Sequence, residues 1–426
     1  MKKYLLYPLI SIFLFSFGSL FKNEAIALQL IFEDVQYSFQ AIRAIDKASS
    51  GGADIGECLK TLYRIKEGDD EGWYREWYKT AEDREKTADK FLAAGHKISA
   101  KQEYFRASNY YRTAEFFLHT NPKDPRIIAT WRKSRDCFQS GARLSNTPIK
   151  PVEIPFEGTT LPGYLCLVDN SGKKRPLLII HTGFDGTGEE VYFDVAYYAL
   201  QRGYNCLIFE GPGQGRVIRE QGIPFRHNWE TVITPVVDFA IKQPVVDNKN
   251  IALMGISFGG YLAPRAVAFE HRIKICIANG GVYEFPGINR PDENHYQQLK
   301  DRQQARNYDE EVYAEMKKNP SLRWAVSNGM FTFKAKSPSD WLKMTKPYTL
   351  ENIADKIKCR MLIVDSEEDK DLPGQAKKLY DALTCPKEFM LFTKEDGAEE
   401  HCQVGAHLIS NERILDWLDS AMRMSK

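Results

Sequence analysis

The chain has no excess of charge of either sign. Its 58 Lys and Arg stand against 57 Asp and Glu, a formal net charge of +1. That balance leaves no electrostatic footprint for nucleic acid or for an anionic surface. Also missing are C-x-x-C and Cys/His zinc spacings; the eight cysteines stand singly between Cys58 and Cys402. A phosphate-cradling G-x-x-x-x-G-K-[ST] turn is absent, as are internal repeats and low-complexity tracts. After the first two dozen residues no long hydrophobic run recurs, so the body of the chain offers no membrane span. The chain of 426 residues has a globular composition and length enough for two domains.

The first residues are built differently. Lys2 and Lys3 precede an apolar run from Tyr4 to Phe21, and Ala25-Ile26-Ala27 puts small residues where a signal peptidase reads them. This is the layout of a secretory signal peptide, residues 1–27, and it predicts cleavage after Ala27 and a secreted or periplasmic mature chain. The alternative is a membrane anchor formed by residues 4–21, which Pro8, Ser11, Ser16 and Gly18 weaken as a stable span. An even number of cysteines permits disulfides in an exported protein. Cys206 and Cys276 fall inside apolar runs, where a free thiol packs as a small apolar residue.

From Phe32 to Leu144 the pattern is helical throughout. Ser99 to His119 carries apolar residues at spacings of three and four, and Ser50-Gly51-Gly52 and Asn121-Pro122-Lys123-Asp124-Pro125 read as stops. Trp73, Tyr74, Trp77 and Tyr78 cluster at helical spacing, as a packing core or as rings facing a pocket. After Thr147 the pattern changes. Val152-Glu153-Ile154 and Leu161 to Val168 read as a hairpin around Glu157-Gly158-Thr159. Short apolar runs then recur at 176–180, 206–209, 251–254, 275–278, 361–364 and 389–392, with helical stretches between them. Buried strands alternating with helices predict an α/β fold with a mostly parallel sheet. Residues 287–355 interrupt the rhythm with polar and aromatic helices, which predicts a cap inserted over the site. The expected domains are thus 28–146, all helical, and 147–426, α/β with its insertion.

The chemistry lies after the strands. Met254-Gly255-Ile256-Ser257-Phe258-Gly259 follows the run at 251–254 and opens a helix. G-x-S-x-G in that setting is a nucleophile elbow, whose glycines let the backbones pass closely around a strained serine. The next backbone N–H, that of Phe258, is left to face an oxyanion. After Ile180 comes His181-Thr182-Gly183-Phe184-Asp185-Gly186, a turn suited to a second oxyanion donor, for which Phe184 is the choice. His181 reads either as a brace for this loop or as a catalytic residue. Glu210-Gly211-Pro212-Gly213-Gln214-Gly215 reads as a tight turn shaping the pocket wall. The chain order Ser, acid, His places the acid after Val364, where Asp369 fits best and Asp365 and Glu368 are alternatives. The base is His401, ahead of the closing helix, with His407 as competitor inside that helix.

On these residues the C-terminal two-thirds resembles the α/β-hydrolase superfamily. With Glu71-Gly72-Trp73-Tyr74-Arg75-Glu76-Trp77, Phe105-Arg106-Ala107-Ser108-Asn109-Tyr110-Tyr111, Gly211-Pro212-Gly213-Gln214-Gly215 and Glu399-Glu400-His401-Cys402-Gln403, the chain after the leader resembles one subgroup of it. That subgroup contains 2,6-dihydroxypseudooxynicotine hydrolase, the fungal chain-shortening polyketide hydrolases and the FrsA-type esterases. The resemblance implies a serine hydrolase with Ser257, Asp369 and His401 in the triad positions, cleaving an ester or a ketone-activated C–C bond. It makes Asp185 and Glu284 candidates for substrate contact. No metal or organic cofactor is implied. The expected partners are a small acyl or ketone substrate and, at most, a second copy as a homodimer; nucleic acid and, once the leader is gone, a membrane span are not expected. The competing classes are a non-catalytic binding or regulatory protein on the same scaffold and a peptidase.

Overall fold

A computed structural model describes residues 30–286 and 290–424; the leader expected over residues 1–27 lies outside the described residues. Eight strands form one sheet in the order β1-β2-β4-β3-β5-β6-β7-β8. They are β1 (Ile149–Phe156), β2 (Thr159–Cys166), β3 (Arg175–His181), β4 (Asn205–Phe209), β5 (Val246–Ile256), β6 (Ile275–Asn279), β7 (Arg360–Ser366) and β8 (Lys387–Phe392). β1 pairs β2 and β2 pairs β4 antiparallel, and every pairing from β4 through β3 and β5 to β8 is parallel. The β1–β2 turn holds Glu157 and Gly158 both at positive φ, 41° and 79°, as a two-residue hairpin turn demands.

The central strands are buried on both faces, which is why they read as unbroken apolar runs. In β5, Ile251 and Leu253 face one core while Ala252 and Met254 face the other. Helices Glu230–Ala240 and Gly259–Val267 cover the first face, and the closing helix His407–Met424 covers the second.

The helical region runs through Val35–Asp46, Ile55–Leu62, Asp70–Ala93, Lys97–Glu115 and Pro125–Arg143. Its starts follow local chemistry: Asp34, Asp54, Asp69 and Asp124 each accept backbone N–H bonds as N-caps. Trp73 and Trp77 are fully buried among Tyr37, Tyr110 and Phe117, so these rings hold helices together. Phe105 and Phe138 instead pack on Tyr164, Tyr192 and Phe193 of the sheet-bearing part and join its second core.

Between β6 and β7 stand the helices Glu293–Gln298, Arg302–Met316, Pro320–Phe333 and Pro338–Thr345. Asn319 and Ser337 cap the last two, each followed by Pro at the first helical position. All eight cysteines are free thiols, and all but Cys359 are buried. Among the described residues no helix is long and apolar enough to cross a membrane.

Candidate active site

β5 ends at Ile256, and the helix Gly259–Val267 begins three residues later. Between them Ser257 takes φ 61°, a left-handed conformation that costs a non-glycine residue energy and persists only where the surroundings hold it. Its N–H donates to the Asn279 carbonyl at 2.8 Å, and its own carbonyl accepts from Gly260 N–H at 2.6 Å. A Cβ on Gly255 would lie 2.1 Å from the Gly259 oxygen, and one on Gly260 would lie 2.0 Å from the Gly280 oxygen. No larger residue fits either place.

The structure brings the three predicted side chains together. Ser257 Oγ donates to His401 Nε2 at 2.9 Å, and His401 Nδ1 donates to Asp369 Oδ2 at 2.7 Å. A carboxylate only accepts, so Nδ1 carries the hydrogen and Nε2 is left to receive one. Asp369 Oδ1 accepts from the backbone N–H groups of Asp371 and Leu372, at 3.0 and 2.9 Å. Burial works to raise the Asp369 pKa, but the His401 charge and these donors hold it below the usual carboxylate range. Burial likewise works against the His401 imidazolium, and the Asp369 carboxylate overrides it, raising His401 well above the ordinary histidine value. The turn that presents His401 is itself left-handed at Cys402 and Gln403, φ 54° and 56°. It places Cys402 Sγ 3.4 Å from His401 Nε2.

The alternatives stand elsewhere. Asp365 bonds the N–H of Ser366 and not His401; burial and the nearby Asp369 charge raise its pKa to about 6. Glu368 pairs with Lys394 at 2.8 Å. His181 is fully buried with Nδ1 2.9 Å from the Thr182 carbonyl, and burial pushes its pKa down to about 4; it braces the loop as a neutral ring. His407 opens the closing helix and pairs with Asp46 at 2.7 Å.

Gly183 lies against the elbow so closely that a Cβ there would stand 2.5 Å from Phe258 N. Gln214, from the turn after β4, donates through Nε2 to the carbonyls of Thr182 and Gly183 at 2.6 and 3.2 Å. With the Gly183 carbonyl turned to Gln214, the N–H of Phe184, trans to it in the same peptide plane, points the other way. Among the described residues nothing accepts a hydrogen bond from the N–H of Phe184 or Phe258. The turn read as pocket wall therefore serves as a brace behind the Phe184 loop, and its residues do not line the cavity.

Ser257 and His401 open on a cavity of about 170 Å³. One side is aromatic: Phe184, Phe258 and Phe285, with Trp324 and Trp341 from the helices between β6 and β7. The other is polar and comes from the helix Val35–Asp46 and the residue after it, where Gln36, Gln40, Arg43 and Lys47 face inward at spacings of four, three and four. Asp185 lines the cavity and pairs with Arg43 at 2.6 Å, and Arg43 also pairs with Glu190 at 2.7 Å. Glu284 is not brought to this cavity. Its side chain pairs with Lys378 and lies 3.6 Å from Arg290, on the side away from the cavity that the next residue, Phe285, lines. Tyr74, Tyr78, Trp73 and Trp77 do not reach the cavity either. Among the described residues no cluster of His, Cys, Asp or Glu could hold a metal.

A mostly parallel sheet in this strand order, with a serine at positive φ on the turn after β5, defines an α/β-hydrolase. The chain belongs to that family, and it is a hydrolase: it is 32% identical to Hydrolase acrC of Aspergillus aculeatus over 92% of this chain and 97% of that one. It is likewise 32% identical to 20-hydroxy-prefusarin hydrolase FUS2 of Gibberella moniliformis, over 93% of this chain and 99% of that one. Residues 192–325 match the Prolyl oligopeptidase family. The crystal structure of 2,6-dihydroxy-pseudo-oxynicotine hydrolase superposes with a TM-score of 0.70 at 20% identity, covering 89% of this chain and 96% of that one.

Proposed function

We propose that this hydrolase uses Ser257 as nucleophile, His401 as general base and acid, and Asp369 as the orienting carboxylate. Its substrate on this reading is a small acyl compound, an ester or a ketone whose neighbouring C–C bond is activated. The observation that carries the reading is the unbroken hydrogen-bonded chain Asp369–His401–Ser257, whose last two members line the cavity. Ser257 Oγ attacks the carbonyl carbon while its proton passes to Nε2. The N–H groups of Phe258 and Phe184 receive the developing oxyanion, each donor worth about 3 kcal/mol in enzymes of this kind. His401 then returns the proton to the departing oxygen or carbon, and water releases the acyl group.

Ser257→Ala, together with labelling by a fluorophosphonate, tests the assignment. The expected result is stoichiometric labelling of the wild type and no turnover by the variant. An unlabelled wild type, or an alanine variant with undiminished turnover, defeats it. A panel of acyl esters and β-diketones of graded length separates the two bond types. The Prolyl oligopeptidase match supports a second reading, cleavage of a peptide bond. Against it stands the helical nature of the N-terminal region, where peptidases of that kind carry a propeller. Peptide anilides in the same panel decide between them. The leader composition supports export, and N-terminal sequencing of the mature chain should begin at Leu28.

A further inference from the structure

The loop that carries Phe184 is held from both sides, and the second hold comes from outside the sheet. Gln214 fixes the Gly183 carbonyl. Asn328, in the cap helix Pro320–Phe333, donates through Nδ2 to the Phe184 carbonyl at 3.1 Å. Because Nδ2 faces a carbonyl, Oδ1 must accept, and it does so from His119 Nδ1 at 2.7 Å. His119 follows the helix Lys97–Glu115, and its other nitrogen lies 2.8 Å from Glu115 Oε1. Arg219 closes on the same carboxylate through Nε and Nη2, at 2.9 and 2.8 Å, while its Nη1 donates to the Gly215 carbonyl at 3.2 Å. Gly215 adjoins Gln214. The bonds therefore form a closed ring: Phe184 carbonyl, Asn328, His119, Glu115, Arg219, the Gly211–Gly215 turn, Gln214, Gly183 carbonyl.

Every side chain of the ring is buried, with Asn328 fully enclosed. Such a ring is satisfied only when complete, since a buried donor or acceptor stripped of its partner keeps the full cost of its desolvation. The two carbonyls it grips belong to the peptide planes on either side of the Phe184 α-carbon, and fixing both planes fixes where the Phe184 N–H points. A donor aimed in advance at the developing oxyanion needs no reorganisation during the reaction.

We propose that Asn328 and His119 are positioning residues, through which the cap and the helical region together aim the Phe184 N–H at the oxyanion. This rests on the reading of Ser257 and Phe184 given above. It assigns those two segments a part in the rate of the chemical step as well as in enclosing the substrate.

The test uses the full chain. Asn328→Asp is isosteric, keeps the acceptor for His119 and replaces the donor to Phe184 with an oxygen. It should lower kcat by about tenfold or more, with KM changed by less than about threefold, because the lost interaction operates in the transition state. An aryl trifluoromethyl ketone, which forms the tetrahedral adduct with the serine, should bind more weakly by the same factor, and the product carboxylic acid should bind as before. His119→Leu should reproduce the pattern, and His119→Asn, which keeps a donor near the position of Nδ1, should recover part of the loss. Thermal melts identify any variant that fails to fold, and Asn328→Ala then stands in for it. A folded Asn328→Asp protein with wild-type kcat and ketone affinity overturns the proposal, and so does one that is destabilised with both unchanged. In either case a Ser257→Ala protein that is inactive leaves the nucleophile assignment standing. A wild type that neither turns over esters nor takes the fluorophosphonate instead defeats the reading beneath it.

Discussion

At Gly183 the smallest side chain would already collide with the elbow: besides its contact with Phe258 N, a Cβ would come within 2.7 Å of the Ile256 carbonyl. Gly183→Ala should therefore push the Phe184 loop off the Ser257 turn and lower kcat by about a hundredfold, the usual effect of a displacement near 1 Å. Steady-state kinetics beside a thermal melt separates this from simple unfolding. His401 gives a prediction in pH. Burial opposes its protonation, but Asp369 raises its pKa above the ordinary value, and in the proposed role of base it must be neutral to accept the Ser257 proton. Activity should be absent at low pH and appear as pH rises through that raised value. Asp369→Asn removes the carboxylate, so the limb should move to lower pH and kcat should fall by about 10⁴, as it does when the orienting aspartate of a serine hydrolase is lost. A profile that keeps its midpoint in the variant contradicts the pairing. The positions of Ser257, Asp369 and His401 were legible in the sequence because each follows a strand end, and strand ends stand out as the close of an apolar run. Gln214, Asn328 and His119 were not, since they meet through contacts between segments far apart in the chain. Glu284, a candidate from its place after β6, has its side chain held by Lys378 outside the cavity, which strand order alone does not reveal.

Among the elements, the helix Val35–Asp46 is tied to the sheet-bearing part by buried ion pairs. Arg43 projects from it into Asp185 and Glu190, with Arg112 a further 3.2 Å from Glu190. The Arg43 side chain is only 12% exposed and that of Glu190 only 3%, so the pair is shielded from solvent. Arg43→Leu leaves the carboxylates without their main partner, and removal of one member of a buried pair costs about 3–5 kcal/mol. Chemical denaturation should show a loss of that size, and a variant as stable as the wild type would contradict the network. The sequence revealed that this region is helical and left the inward face undetermined. Periodicity marks an apolar stripe, whereas the face that meets the cavity here is mostly polar.

For the whole molecule, the helical region is more than an attachment. Phe105 and Phe138 are buried in the core that also holds Tyr164, Tyr192 and Phe193 of the sheet-bearing part. A chain cut back to residues 147–426 would expose those rings in one patch and lose one wall of the cavity. It should be aggregated or inactive, as judged by size-exclusion chromatography and ester turnover; a soluble monomer with wild-type kcat would show that the helical region is dispensable. The α/β class and the alternation of strands and helices were legible in sequence because each central strand is covered on both faces. The shared core was not, because an aromatic residue on a helix does not announce whether its neighbour is another helix or the sheet.

The polar stripe on the first helix also has a consequence for how such an enzyme could change. Gln36, Phe39 and Gln40 touch the cavity from a helix more than two hundred residues from Ser257 in the chain, and the side-chain hydrogen bond of Gln40 goes to Arg112 rather than to Asp369 or His401. Changes there should combine almost additively with changes around the nucleophile. A library varied at these three positions would then sort substrates without rebuilding the machinery that cleaves them, so that preference could drift in a lineage while the reaction stayed the same.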